Sequence, residues 1–147
     1  MHPHELDDLR ELRRRVLRGN RPDASVANPR DLEPTVLHLA GFLGARLVVS
    51  SSWYPGVPPM NPRLVTYQLR YMATDFDVQG RGYASVVLEE AEKELRRLGA
   101  QQLWANARDS ALGFYRATGW QTVEGSEHLS SETRLAHTVI FKTLAGE

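Results

Sequence analysis

Residues 64–99 constrain the fold more than any other stretch of the chain. They run from Leu64 to Thr74 as a β-rich segment, pass through Asp75 to Ser85 with glycines at 80 and 82, and continue as a patterned helix to Gly99. Ala84, Val87, Leu88, Ala91, Leu95 and Leu98 recur at helical spacing and form one apolar stripe. Opposite lie Glu89, Glu90, Glu92, Lys93, Glu94, Arg96 and Arg97, with Glu89/Lys93 and Glu92/Arg96 four residues apart, so this face is expected to be wet. Gly99 supplies the stop. The first turn of such a helix carries N–H groups without intrahelical partners, and the helix dipole adds positive charge there. Two glycines just upstream let the backbone approach a ligand closely. The stretch therefore predicts an anion site, with a phosphate or pyrophosphate as its guest.

Charge supplies no competing pull. The chain has 18 basic and 18 acidic side chains, so no global field draws it to nucleic acid or membrane. Arg10, Arg13, Arg14, Arg15 and Arg18, with Arg21 just beyond, alternate with Glu5, Asp7, Asp8 and Glu11, which reads as a solvated helix face. The absence of cysteine excludes a disulfide framework, a cysteine zinc site and a thiol nucleophile. His2 and His4 have no companions at metal-ligand spacing, and no metal site is expected. No stretch approaches the roughly 20 apolar residues of a membrane span. A single soluble, cytoplasmic domain of 147 residues is the expectation.

Taken in order, residues 5–18 read as a helix ending at Gly19-Asn20, and 21–34 as a loop broken by Pro22, Pro29 and Pro34. Thr35 to Phe42 and Arg46 to Tyr54 read as a hairpin turning at Leu43-Gly44-Ala45, with His38 a structural residue in its first strand. Residues 55–62 contain half of the eight prolines, which keeps them out of a central sheet and makes them a candidate substrate-side loop. Gln101 to Asn106 forms a strand, completing a β-α-β unit. Asp109 is placed to cap a helix running to Ala117 and stopping at Gly119. Trp120 to Val123 reads as a strand, 124–134 as a polar loop, and Ala136 to Leu144 as the last strand.

Three phosphate loops compete for residues 79–85. A Walker loop requires Gly-Lys-Ser/Thr entering the helix, where this chain has Gly82-Tyr83-Ala84. A dinucleotide fold requires a third glycine where Ser85 stands and an acidic residue closing the next strand, which instead ends at Asn106. The third fits. Gln79-Gly80-Arg81-Gly82-Tyr83-Ala84 resembles the Gln/Arg-x-x-Gly-x-Gly/Ala loop of the GNAT superfamily of acyl-CoA-dependent N-acetyltransferases. Asn106 to Trp120 resembles the second half of that family's cofactor site, where an Asn, a short helix and a Phe-Tyr pair precede a Gly-aromatic step. The likeness covers roughly residues 64–144.

The resemblance implies an α/β (α+β) domain with a mixed, mostly antiparallel sheet flanked by helices and splayed in a V between its two central strands. It implies that acetyl-CoA lies in that cleft. The pyrophosphate would rest on Gln79, Gly80, Arg81, Gly82, Tyr83, Ala84 and Ser85, pantetheine would run along Met72, Ala73 and Thr74, and Asn106, Ala111 and Tyr115 would add further contacts. Tyr115 corresponds to the tyrosine that protonates the departing thiolate, with a second core aromatic as the plainer reading of the pair Phe114-Tyr115. Backbone N–H groups near Met72 and Ala73 would stabilise the oxyanion. The amine needs a base, and the family's central-strand glutamate is missing, since this strand shows Thr66, Gln68 and Arg70. Glu127, His128 and His137 are the substitutes. His137 enters the last strand beside the acceptor cleft of this fold; a structural or solvated role for each of the three, with a water chain as the base, is the alternative. Alternation puts Gln68, Arg70 and Met72 on one face, where Arg70 would meet either a substrate carboxylate or a neighbouring acidic side chain. The expected acceptor is a primary amine of a small molecule. A non-catalytic acyl-CoA sensor and a protein N-terminal or lysine acetyltransferase are the alternatives, and a homodimer is compatible with the fold.

Overall fold

The computed structural model describes residues 3–19, 26–56, 63–130 and 134–144. His2, Asn20, residues 21–25, 57–62 (most of the expected substrate-side loop) and 131–133 lie outside them. The chain divides into two compact units, Met1–Tyr54 with Arg70–Glu94, and Pro55–Leu69 with Leu95–Glu147. Among the described residues no helix is long and apolar enough to cross a membrane, and no group of three or more His, Asp or Glu side chains is arranged to hold a metal ion.

In the first unit, helix α1 (Pro3–Leu17) buries Leu9 and Leu12 against Leu47 and Ala73. Arg13 lies four residues beyond Leu9 on the same stripe, so the helix carries it fully into the core; the expected wholly solvated arginine face is corrected on this point. Strands β1 (Leu37–Leu43) and β2 (Arg46–Pro55) pair antiparallel across the Gly44 turn, as expected. The described part of the 21–34 loop is not featureless. Asn28 and Asp31 form a capping box around a 3-10 turn at Pro29–Leu32.

Strand β3 (Thr66–Thr74) begins in the second unit and ends in the first. The Asp75 N–H donates to Val48 O at 2.8 Å, and the Gly56 N–H donates to Thr66 O at 3.2 Å. Val48 to Gly56 on one strand therefore answers Thr66 to Asp75 on the other, which is one residue longer. The surplus is a β-bulge, and Tyr71 marks it with φ +59°. A 3-10 turn at Phe76–Val78, capped by Asp75, then leads through the glycine loop into helix α2 (Tyr83–Arg97).

On α2, Val87, Leu88, Ala91 and Leu95 are buried as patterned, and Val87 packs with Val48, Val49 and Val78. Two expectations fail at the edges of the stripe. Glu92, one turn from both Leu88 and Leu95, is buried rather than wet, whereas Leu98 lies beyond the helix end and is exposed. Lys93 pairs with Glu90 at 3.1 Å, one residue away from the expected Glu89.

In the second unit, β3 runs parallel to β4 (Gln102–Arg108) over Thr66–Leu69 and Gln102–Ala105, where the ladder stops while both strands continue. Along its whole length β4 pairs antiparallel with β7 (Ala136–Thr143), from Gln102↔Thr143 to Arg108↔His137. Strands β5 (Gln121–Thr122) and β6 (His128–Leu129) add to β7, so the expected polar loop contains a short strand. Hydrogen-bonded neighbours run β1-β2-β3-β4-β7-β5 with β6 on β7, a seven-stranded, mixed and mostly antiparallel sheet. Helix α3 (Leu112–Ala117) follows a 3-10 turn at Asp109–Ala111. Asp109 caps neither; its carboxylate accepts from the Thr138 hydroxyl at 2.9 Å.

Candidate functional site

In the first unit the glycine loop is open by construction. Gly80 and Gly82 hold φ of +79° and +85°, and a Cβ built on either meets nothing within 4 Å. The first bond into α2 runs from the Val86 N–H to Gly82 O at 3.2 Å, so the N–H groups of Tyr83, Ala84 and Ser85 precede the helical ladder. No acidic residue occupies this first turn, and the Arg81 side chain is exposed. The Gln79 side-chain amide donates to Thr74 O at 2.9 Å, tying the loop to the end of β3. Residues 72–74 and 79–85 thus share one neighbourhood, and their donor set of backbone N–H groups, a dipole and one guanidinium fits a pyrophosphate.

The end of β3 is packed on both faces. Met72 joins the valine cluster of β2 and α2, while Ala73 meets Leu9, Leu12 and Leu47. Because the Asp75 N–H points to β2, alternation turns the Ala73 amide toward β2 as well, and turns those of Met72 and Thr74 to the opposite edge. Asp75 is fixed by Arg15 at 2.8 and 3.1 Å and by Arg46 at 2.9 Å. The Arg15 hydrogen bonds lead in lowering its pKa to about 2.

Tyr71 sits where a bulge would favour glycine. Left-handed backbone costs roughly 1–2 kcal/mol for a residue with a Cβ. The Arg13 guanidinium stacks 4.0 Å from the ring centroid, Arg70 lies at 4.8 Å and the Tyr54 ring meets it edge-on at 6.4 Å. A desolvated cation–π contact contributes about 2 kcal/mol, enough to offset the strain. Arg70 therefore leans over Tyr71 while Met72 packs among valines, so the expected regular alternation of Gln68, Arg70 and Met72 is broken by the bulge.

Behind Tyr71 lies a buried polar network that the sequence reading missed. The Asp31 carboxylate accepts from Arg13 at 2.9 and 3.3 Å, Arg10 at 3.1 and 3.3 Å, the Tyr54 hydroxyl at 2.5 Å and the Asn28 N–H at 3.1 Å. Burial alone would raise the Asp31 pKa, but its Arg13 and Tyr54 partners outweigh that and hold it well below the carboxylate range. Burial and the same carboxylate push the Tyr54 hydroxyl up. His38 Nε2 donates to Asp31 O at 2.8 Å, so in the neutral ring Nδ1 accepts from Ser52 Oγ at 2.7 Å; burial lowers its pKa. The only sequence signals were the place of Arg13 on the leucine stripe and the Asn28-x-x-Asp31 box.

In the second unit Tyr115 is buried, with its ring edge-on to Phe114 at 5.2 Å and Trp120 at 5.6 Å. Burial raises its pKa, so the hydroxyl stays protonated at neutral pH. His137 is also buried. Its Nδ1 donates to Leu135 O at 2.8 Å, which in the neutral ring leaves the Nε2 lone pair open, and its ring lies 6.0 Å from that of His128. Asn106 is exposed on β4, on the same face of the β4–β7 pair as Arg108 and His137. Lys142, which donates to Thr118 O beyond α3, is on the other face. Ala111 closes the 3-10 turn before α3. Glu127 is placed elsewhere, lining an open cavity of about 460 Å³ with Asp109, Glu124, Arg116 and Thr138, to which neither Tyr115 nor His137 contributes.

The sequence model of the Acetyltransferase (GNAT) family matches residues 6–120. An uncharacterized N-acetyltransferase of Bacillus subtilis (strain 168), YitI, is 30% identical over 139 residues, which covers 95% of this chain and 92% of that protein. Among solved structures, Escherichia coli ElaA superposes with a TM-score of 0.78 at 14% identity, covering 97% of this chain and 92% of its own. An aminoglycoside 6′-N-acetyltransferase complexed with coenzyme A gives the same TM-score, identity and coverage.

Proposed function

The chain belongs to the GNAT family of acetyltransferases, and on that premise we propose that it moves an acetyl group from acetyl-CoA to a primary amine of a small molecule by direct attack on the thioester. One observation carries the reading: the open Gly80-Arg81-Gly82 cradle at the start of α2, tied by Gln79 to the Thr74 carbonyl at the end of β3. Gln79 to Ser85 hold the pyrophosphate, and Met72 and Thr74 offer main-chain partners to the pantetheine amides, with Ala73 between them as the packed spacer. Asn106 and Ala111 complete the donor contacts.

Acetyl-CoA supplies the activated acetyl group. A main-chain N–H near Met72 stabilises the oxyanion as the amine adds to the carbonyl. Tyr115 gives its hydroxyl proton to the departing thiolate, whose conjugate thiol has a pKa near 8.5, and is reprotonated from solvent. His137 Nε2 takes the first proton that the amine must shed, since an alkylamine with a pKa around 10 is mostly cationic at neutral pH. The second nitrogen proton, acidified once the amine has added to the carbonyl, leaves to solvent as the amide forms. Arg70 is the acceptor-side contact for a carboxylate. The neighbour that acts on aminoglycosides supports a small-molecule acceptor on this fold. The test is thiol release from acetyl-CoA across a panel of small amines and amine-bearing peptides. Release with small amines supports the reading; tight CoA binding without release makes the protein a binding module, and release with peptides alone makes it a protein acetyltransferase.

A further inference from the structure

We propose that Arg13 is a positioning residue for acetyl transfer: through Tyr71 it holds the β3 bulge that turns the Met72 and Thr74 amides to the edge away from β2. The inference rests on the acetyltransferase reading above. A tyrosine at φ +59° needs a restraint that a glycine would not, and the restraint is visible. The Arg13 guanidinium covers the Tyr71 ring at 4.0 Å, and it has no freedom of its own. One terminal nitrogen donates to Val26 O at 2.8 Å and Asp31 at 2.9 Å, the other to Ser52 Oγ at 2.8 Å and Asp31 at 3.3 Å. Asp31 is in turn locked by Arg10, the Tyr54 hydroxyl and the Asn28 N–H.

A chain of fixed contacts therefore runs from α1 and the Pro29–Leu32 turn to the bulge. Arg13 and Asp31 are buried, and both terminal nitrogens of Arg13 and both carboxylate oxygens of Asp31 are engaged within the protein, so they act through Tyr71 rather than on a ligand. Stability alone does not account for the arrangement, because a buried ion pair is often no better than a well-packed apolar group. What the network adds is one fixed conformation at Tyr71, directly before the amides the donor needs.

Three variants test this. Tyr71→Gly accepts the positive φ but removes the ring, Arg13→Lys keeps a charge beside Asp31 but loses the stacking plane, and Tyr71→Phe is the conservative variant that restores the ring. Misplacement of reacting groups by about 1 Å costs up to about 100-fold. Tyr71→Gly and Arg13→Lys are expected to lose about tenfold or more in kcat/KM for acetyl-CoA. Both should bind 3′-phosphoadenosine 5′-diphosphate, the nucleotide end held by residues 79–85, within about twofold of wild type, and Tyr71→Phe should recover the lost rate. Parallel loss of nucleotide affinity would reduce Arg13 to general stability and overturn the inference. Unchanged kcat/KM in both Tyr71→Gly and Arg13→Lys, with wild type active, overturns it alone. A wild-type protein that transfers no acetyl group overturns it together with the reading beneath it.

Discussion

Replacing Gly82 by valine separates the folding role of the loop from its binding role. The position holds φ +85°, and a Cβ there meets nothing in the protein within 4 Å, so the folded state loses only the strain of left-handed backbone. That strain is roughly 1–2 kcal/mol. A domain of this size loses about 2–4 °C of Tm per kcal/mol, which predicts a fall of about 2–8 °C. The ligand loses more, because the side chain fills the space through which a pyrophosphate would reach the N–H groups of Tyr83 to Ser85. Wild type at 100 times its dissociation constant gains about 2.7 kcal/mol from CoA; a tenfold or greater loss of affinity halves that gain or worse at the same concentration. The assay is thermal unfolding with and without CoA, and the control is Gly44→Val. Gly44 shares the positive φ, at +61°, and the open surroundings, but it turns the β1–β2 hairpin. Both variants should melt lower, and only Gly82→Val should lose the CoA-induced shift. A full shift in Gly82→Val refutes the pyrophosphate assignment.

The remaining predictions concern protons. Tyr115→Phe should lower kcat by about 100-fold or more while leaving acetyl-CoA affinity within about twofold, measured by steady-state kinetics and calorimetry; a large loss of affinity would make Tyr115 a packing residue. His137→Gln should lower the rate with amines that are cationic at neutral pH, and the loss should shrink as the assay pH rises and free amine accumulates. Asp75 has a folded pKa of about 2, below the unfolded value near 3.9, so it binds fewer protons folded than unfolded between those values. Its stabilisation is present above about pH 4 and lost as pH falls toward 2, and Asp75→Asn should cost about 1 kcal/mol at pH 7 after allowance for its half-exposed arginine partners, and flatten that part of the acid unfolding curve.

The glycine loop, α2 and the β3–α2–β4 unit were legible in the sequence because their signals are local: a helical stripe, two glycines and a stop. The features that were not legible depend on partners far along the chain. Arg13 is indistinguishable by composition from Arg14 or Arg15 until Asp31 and Tyr71 are placed around it. The bulge at Tyr71 exists because β3 spends one residue more than β2 between matching hydrogen bonds, which no pattern within β3 records. Glu92 looked solvated from its charge, and its burial follows from a position one turn from Leu88 and Leu95. Asp109 looked like a cap because Asp commonly is one, yet the Thr138 hydroxyl, from a strand formed much later, takes its carboxylate.

The most direct test of the account is an amide NMR titration of the wild-type protein with CoA, following residues 72–74 and 80–85. Donor binding along β3 and the glycine loop predicts saturable shifts concentrated at Met72, Thr74 and Gly80 to Ser85. Saturating CoA that leaves those amides unmoved would contradict it.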